Sequence, residues 1–264
     1  MSLVFAAMTP HPPLLIPTIG KENIKKIEAT QKAMEELEKD LYVAKPDTIL
    51  VISPHGQILP EAFTINVNPT YKVDLREFGD LTTTTEYQSD FDLITRITEA
   101  AKLKHLPLVL QTNPQLDYGS AVPLFYLARH LPDVKIIPMG YSLLDSKTHL
   151  NIGYLIKEEI MKANRRVAVI ASGDLSHALS NEAPGGFSPT GQKFDEMIME
   201  NLKNHNTAAV VNLDPRFCES AAECGWRSLL VLLGILQRVN YNLKILSYEG
   251  PFGVGYLVAE FAIE

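Results

Sequence analysis

The stretch Thr48-Ile49-Leu50-Val51-Ile52-Ser53 runs directly into Pro54-His55-Gly56. It is short, uncharged and rich in β-branched residues, which is typical of a strand buried within a parallel or mixed sheet. Open α/β sheets bind their ligands at the carboxyl ends of their strands. The stretch therefore predicts a buried central strand that carries His55 to the edge of the sheet where a site is expected.

Two other strands end in the same way. Leu3–Met8 is apolar and leads into Thr9-Pro10-His11-Pro12-Pro13, and Arg166–Ala171 leads through Ser172-Gly173-Asp174 to His177. A single histidine after a strand is most often a hydrogen-bonded structural residue, but three at the strand ends of one open sheet predict a shared site. The other four histidines lie in or beside amphipathic helices, and we expect them to be solvated: His105, His130, His149 and His205.

Strands alternate with amphipathic helices along the chain, which predicts an α/β layered fold. We expect one domain over residues 1–264, with a central mixed, mostly parallel sheet flanked by helices, because no linker divides the chain. The closing strands, Leu243–Tyr248 and Val254–Phe261, are too close in sequence for a crossover helix and should pair antiparallel.

Residues 68–88 are polar and are expected to form a long surface excursion. Residues 219–238 are expected to form one long helix. The other predicted strands are Ala62–Val67, Pro107–Leu110 and Val134–Met139, and the other predicted helices are Gly20–Leu41, Ser89–Lys104, Ala121–His130 (with Pro123 in its first turn), Asp145–Asn164 and Gln192–Lys203.

The composition argues against several classes of protein. The formal net charge of −7 disfavours nucleic acid and an anionic membrane surface as partners. No apolar stretch is long enough to span a bilayer, and the N-terminus shows no targeting pattern. The two cysteines, Cys218 and Cys224, form neither a disulfide framework nor a CxxC zinc motif. We therefore expect a cytoplasmic protein.

Two imidazoles that converge on one edge suggest a metal, and the third ligand decides which metal. A carboxylate would complete the open 2-His-1-carboxylate arrangement of non-haem Fe(II), whereas a third histidine would suit Zn(II). The candidates are Glu219 and Glu223, which are spaced to share one face of a helix among small apolar residues. A carboxylate that points toward a core needs a compensating cation or metal. Alternatively, Glu219 is a residue of the first helical turn and Glu223 pairs with Arg227.

Four motifs in this order resemble the class III extradiol ring-cleaving dioxygenases, whose best-known member is the catalytic subunit of protocatechuate dioxygenase. They are Thr9-Pro10-His11-Pro12-Pro13, Ser53-Pro54-His55-Gly56, Gly173-Asp174-Leu175-Ser176-His177 and Glu219-x-x-x-Glu223-Cys224-Gly225. The resemblance is strongest to the MEMO-like branch, whose members are often linked to an AMMECR-type domain and a radical-SAM partner.

The resemblance implies a role for each residue. His11 and His55 would be the imidazole ligands of Fe(II), and Glu223, with Glu219 as the fallback, the carboxylate ligand. His177 would be the acid/base residue that takes a proton from the substrate and then assists O–O cleavage. The implied activity is insertion of dioxygen into a catechol-type ring beside its vicinal hydroxyls, as in aromatic compound catabolism. The implied partners are a small aromatic diol and dioxygen, in a homo-oligomer.

One motif departs from the family pattern. The family commonly has Asp-His-Gly where this chain has Asp117-Tyr118-Gly119. Asp117 and Tyr118 are therefore further catalytic candidates, although a phenol donates a hydrogen bond without gaining positive charge. Two alternatives follow: a MEMO-like metal- or partner-binding protein without ring cleavage, or a zinc-type metalloenzyme on the same scaffold. In some members of the MEMO-like branch a cysteine occupies the region that corresponds to Cys224-Gly225, so Cys224 is either an alternative ligand or a small buried apolar residue.

Overall fold

A computed structural model describes residues 2–264 and contains one mixed sheet of eleven strands. The strands are β1 (Leu3–Thr9), β2 (Thr48–Ser53), β3 (Phe63–Asn66), β4 (Thr70–Val73), β5 (Glu86–Ser89), β6 (Leu108–Gln111), β7 (Gln115–Leu116), β8 (Lys135–Gly140), β9 (Val167–Ser172), β10 (Tyr241–Glu249) and β11 (Tyr256–Ile263). The helices are α1 (Pro17–Gly20), α2 (Glu28–Ala44), α3 (Phe91–Leu103), α4 (Tyr118–Leu127), α5 (Ser146–Lys162), α6 (Pro189–Lys203), α7 (Thr207–Val211), α8 (Pro215–Ser220) and α9 (Trp226–Ile235), with short 3-10 segments at Pro13–Leu15, Lys21–Ile27 and Arg76–Phe78.

The middle of the sheet consists of four parallel strands in the order β1-β9-β2-β8. On the outer side of β1, β11 pairs antiparallel, and β10 pairs antiparallel with β11. The predicted mixed, mostly parallel sheet and the predicted antiparallel closing strands are therefore confirmed. Within residues 2–264, no helix combines the length and apolarity needed to cross a membrane.

Both faces of the central strands are covered by helices. Leu50 and Ile52 of β2 pack into a core with α3, α5, α6 and α9, whereas Ile49 and Val51 pack into a second core with α2 and α4. Successive residues of a strand point to opposite faces, so a strand that serves two cores must be apolar at every position. This requirement explains the uninterrupted apolar run from which the fold was predicted.

At the outer edge of β8 the sheet divides into two branches, and we call this division the fork. The first residues of β8 pair with β5, which continues through β4 to β7, and its last residues pair with β3, which continues to β6. Pro138 lies between the two pairings and has no N–H to donate at that point of the edge. The fork leaves a space beside the carboxyl end of β8.

The prediction of a surface excursion over residues 68–88 is wrong. The segment contributes β4 and β5 to the sheet, and Tyr71 is completely buried, with its hydroxyl donating to the carbonyl of Asn66 at 2.6 Å. Each strand alternates one buried residue with one that is more exposed, for example Lys72 between Tyr71 and Val73. Buried and exposed residues therefore alternate with the period of two that is typical of a strand, but the polar exposed residues made the segment read as a loop.

The predicted long helix over residues 219–238 is also wrong, because it is interrupted between Ser220 and Trp226. Ala222 adopts a left-handed conformation with φ of 52°, which ends α8. Gly225 lies against the backbone of Gly173: a Cβ on Gly173 would be 2.2 Å from the Cα of Gly225. The break brings residues 223–225 to the end of β9.

Candidate metal centre and the cavity beside it

The carboxyl ends of β1, β2 and β9 bring His11, His55 and His177 to one edge of the sheet, as the sequence predicts. Nε2 of His11 lies 3.0 Å from Nε2 of His55. The thiol of Cys224 lies 3.8 Å from His11 Nε2 and 4.0 Å from His177 Nε2, which links the third histidine to the pair. Because the strands are parallel neighbours, their ends meet at a single edge.

The orientation and tautomer of His11 are set by a chain of hydrogen bonds that begins at a proline. Pro123 lies inside α4, rather than in its first turn, and has no N–H for the carbonyl of Gly119. The hydroxyl of Ser172 donates to that carbonyl instead. Ser172 Oγ, 2.9 Å from His11 Nδ1, therefore accepts the Nδ1 hydrogen. His11 Nε2 keeps its lone pair, which is the form that binds a metal.

The imidazole of His55 stacks on the ring of Tyr118, with ring centroids 4.1 Å apart, and the Tyr118 hydroxyl lies 2.8 Å from His55 Nε2. Burial, aided by the neighbouring His11, lowers the pKa of His55 to about 4, and burial also lowers the pKa of His11. Both rings are thus neutral near pH 7, as ligation requires. A Cβ on Gly119 would lie 3.0 Å from His55 Cδ2 and 2.5 Å from Ser53 Oγ, so only glycine permits this approach.

Asp117 supports the site from behind rather than lining its centre. Its carboxylate caps α4 by accepting from the N–H and the hydroxyl of Ser120, at 3.0 and 2.9 Å, and it also accepts from the hydroxyl of Ser53. Ser53 Oγ in turn accepts from the N–H of His55 at 3.1 Å. Asp117 therefore holds the end of β2 and α4 together.

Asp174, which sequence reasoning did not select, joins two of the histidines. Its Oδ1 accepts from the N–H of His11 at 3.0 Å, and its Oδ2 lies 3.4 Å from His177 Nε2 and 3.9 Å from His11 Nε2. Burial acts to lower the pKa of His177, but the hydrogen bond and the charge of Asp174 outweigh it, and the pKa is raised. The sequence signal that could have identified Asp174 is its position two residues after the buried strand β9 and three residues before His177.

Cys224 belongs to both groups of ligand atoms that lie within 4.8 Å of one another in residues 2–264. One group is His11, His55 and Cys224, and the other is Asp174, His177 and Cys224. Burial raises the pKa of the thiol well above its ordinary value. Asp174 and Cys224 approach the same nitrogen of His177, so the ring has no geometry for relaying a proton between them. The arrangement suits a metal better than a cysteine nucleophile.

The two carboxylates that the sequence proposed as ligands lie outside these groups. Glu223 accepts from the N–H of Trp226 at 2.6 Å, and burial raises the pKa of Glu223 to about 7. Glu219 is exposed on α8. The two lie on either side of the helix break, so the expectation that they share one helix face is wrong.

The fork of the sheet encloses a cavity of about 920 Å³ that opens beside His55 and Tyr118. The end of β8 forms part of its wall, and β3, β6 and β7 contribute Asn66, Gln111 and Gln115. The side-chain amide of Asn66 exchanges two hydrogen bonds with the backbone of Asn113, at 2.8 and 2.9 Å, which fixes the loop between β6 and β7 against the end of β3.

The prediction of solvated histidines is confirmed for His105, His130 and His205 and is wrong for His149, which is completely buried. Nδ1 and Nε2 of His149 lie 2.9 and 3.1 Å from the carbonyls of Asp145 and Ser142. Burial lowers its pKa. Because His149 lies near the start of α5, its ring reaches the carbonyl of Ser142 in the preceding loop. The polar residues beside His149 in the sequence gave no sign of this contact.

Residues 5–259 match the family model of the catalytic LigB subunit of aromatic ring-opening dioxygenase. The chain belongs to the LigB family. The resemblance to class III extradiol dioxygenases is thereby confirmed, and the three histidines lie within the part of the chain that the LigB model covers.

The relatives of this LigB-family chain include both enzymes and MEMO1 family proteins. Protein CA_C1420 of Clostridium acetobutylicum is 34% identical over 97% of this chain, which spans only 57% of that relative's length. The 2-aminophenol 1,6-dioxygenase beta subunit of a Pseudomonas species is 23% identical, over 98% of this chain and 93% of the subunit. A MEMO1 family protein of Methanocaldococcus jannaschii is 22% identical, over 81% of this chain and 68% of that protein. The crystal structure of the uncharacterized protein JW3007 from Escherichia coli K12 has the same fold, with a TM-score of 0.67 at 15% identity, over 98% of this chain and 99% of that one.

Proposed function

We propose that the protein is a non-haem Fe(II)-dependent extradiol dioxygenase that inserts dioxygen into a catechol-type ring beside its vicinal hydroxyls. The observation that carries the proposal is the pair of neutral imidazoles with Nε2 atoms 3.0 Å apart, beside the His177–Asp174 pair and an open cavity. The relatedness to 2-aminophenol 1,6-dioxygenase subunits supports it.

The Nε2 atoms of the two histidines lie 3.0 Å apart, a separation at which both can bind one metal ion. His11 and His55 would hold the ion. For the third ligand, Cys224 is favoured by its distance to His11, and Glu223 stays the competing prediction from the sequence.

Bound Fe(II) would supply the route by which electrons pass from the aromatic ring to dioxygen. Neutral His177 would accept the proton that a ring hydroxyl releases on binding, and Asp174 would stabilise the resulting imidazolium. The hydrogen bond and the charge of Asp174 raise the pKa of His177, which makes its imidazole a stronger base. Burial raises the pKa of Tyr118, so its hydroxyl keeps its proton and acts as a hydrogen-bond donor. Asp117 and Ser53 keep the end of β2 in place.

A second candidate function is a MEMO-like metal-binding protein without ring cleavage. Two observations favour it: the Cys224 thiol within 3.8 Å of His11, and Tyr118 where the family commonly has histidine. A thiolate ligand suits softer metals, Zn(II) among them. The homo-oligomer, the AMMECR-type or radical-SAM partner and the cytoplasmic location stay predictions.

The test is metal analysis of protein purified without air, followed by a catechol ring-opening assay. We expect the purified protein to contain iron, to take up oxygen and to form a yellow ring-fission product. Zinc or iron without oxygen uptake would establish the metal-binding alternative. For the third ligand, iron lost from Cys224→Ser and kept by Glu223→Gln would assign Cys224, and the reverse would assign Glu223.

A further inference from the structure

The cavity in the fork of the sheet is larger than a bare catechol requires. Its volume of about 920 Å³ lies at the upper end of the roughly 300–1,000 Å³ typical of pockets for drug-sized ligands. It reaches from His55 and Tyr118 past the carboxyl end of β8 to the loop after β4. A ring placed at the two histidines would therefore leave most of the cavity for a substituent.

The walls of the cavity away from the histidines are polar. Gln57, Gln111 and Gln115 supply side-chain amides, which both donate and accept hydrogen bonds. Asp74 and Glu77 line the same space. A substituent that fills the cavity would need hydrogen-bonding groups of its own, since an alkyl chain would leave these polar groups unpaired.

The charges that face the cavity are mostly negative. Arg76 is the only arginine or lysine among the described residues that line it, and its Nε lies 2.9 and 3.0 Å from the two carboxylate oxygens of Asp74. The hydrogen bond from Arg76 lowers the pKa of Asp74 to about 2, so the pair is fully ionised at neutral pH. Glu77 and Asp117 remain without a cationic partner among the lining residues. An anion in this space would meet uncompensated carboxylates.

We infer that the cavity binds an extended, polar substituent of the aromatic substrate that is uncharged or positively charged, and that it disfavours an anionic substituent. This inference rests on the proposed function, because it takes the ring to lie at His11 and His55. It assigns Glu77 and the Asp74–Arg76 pair as specificity-determining residues.

The experiment compares ligands that share a ring and differ in the charge of one side chain. The probes are 4-(2-aminoethyl)catechol, 4-(2-hydroxyethyl)catechol and 3,4-dihydroxyphenylacetate, with unsubstituted catechol as the reference. Their binding to the protein as purified is measured by calorimetry without oxygen at about pH 7.5, where the amine and the carboxylate are ionised. The amine and the alcohol should bind about tenfold more tightly than the carboxylate.

Two variants test the assigned residues. Glu77→Gln should reduce the preference for the amine over the carboxylate severalfold. The control Glu99→Gln changes an exposed residue of α3 outside the cavity wall and should leave this preference unchanged. Asp74→Asn frees the Arg76 guanidinium and should tighten binding of the carboxylate about tenfold. Equal affinities, tightest binding of the carboxylate, or no binding of any probe would overturn the inference. If the affinities follow the predicted order but no ring opens in air, the cavity assignment is supported and the dioxygenase proposal is refuted. If rings open but the affinities are equal, the dioxygenase proposal is supported and the cavity assignment is refuted.

Discussion

Replacing Ser172 by alanine should weaken metal binding without removing a ligand. The hydroxyl of Ser172 accepts from His11 Nδ1 at 2.9 Å and donates to the carbonyl of Gly119. Without it, nothing fixes the hydrogen of His11 on Nδ1, and the tautomer with Nε2 blocked becomes accessible. Loss of such an outer-shell partner typically costs about 10- to 100-fold in metal affinity, or about 1.4–2.7 kcal/mol.

The same substitution should also destabilise the metal-free protein. The carbonyl of Gly119 loses its donor, and Pro123 offers no N–H in its place. A buried carbonyl left unpaired costs about 1–3 kcal/mol. The double variant S172A/P123A restores a helical N–H four residues after Gly119, so it should recover much of the stability while the metal affinity stays low.

Competition with a chelator measures the metal affinity, and urea unfolding of the metal-free protein measures the free energy of unfolding. Ser176→Ala is the matched control, because Ser176 also donates from a buried site to a carbonyl, that of Ala221 at 2.8 Å, but does not contact His11. It should lose stability and keep the metal affinity. Wild-type metal affinity in S172A would refute the account of the His11 tautomer.

Three further predictions concern residues around the site. His177→Ala should keep the metal and lose turnover, which metal analysis and an oxygen-uptake assay would show; loss of metal would make His177 a ligand and favour zinc. Gly119→Ala places a Cβ 2.5 Å from Ser53 Oγ and should cost about 1–3 kcal/mol of unfolding free energy together with metal affinity. An unchanged chemical denaturation curve would contradict the close packing of Gly119 against Ser53. Burial raises the pKa of Asp195 to about 6, although the hydrogen bonds that its carboxylate accepts from Tyr248 and Ser176 act to lower it. The stability that the protonated carboxyl of Asp195 contributes is therefore present below about pH 4 and is lost as the pH rises through 6. Asp195→Asn should therefore become more stable than the parent with rising pH, by up to about 3 kcal/mol above pH 7, and a constant difference from pH 4 to 8 would refute this assignment.

The central sheet was predictable from sequence because β2 and β9 are buried on both faces and leave an uninterrupted apolar signal. The convergence of His11, His55 and His177 followed from the same observation, since parallel strands end at one edge. Every histidine at a strand end was found in this way.

The rest depends on contacts between distant parts of the chain. The break between α8 and α9 reflects the close approach of Gly225 to Gly173, which lies some fifty positions earlier in the sequence and is invisible to helical periodicity. The break moves Glu219 out to the surface and carries Cys224 to the histidines. The fork at Pro138 likewise turns an apparently polar segment into β4 and β5 and creates the cavity.

The most direct test of the proposed centre is the iron content of anaerobically purified protein with its single histidine variants. We predict about one iron per chain in the parent and in His130→Ala, whose imidazole is exposed on the surface, and none in His11→Ala or His55→Ala. Iron that persists in either of the latter two, or a parent that takes up none, would contradict this prediction.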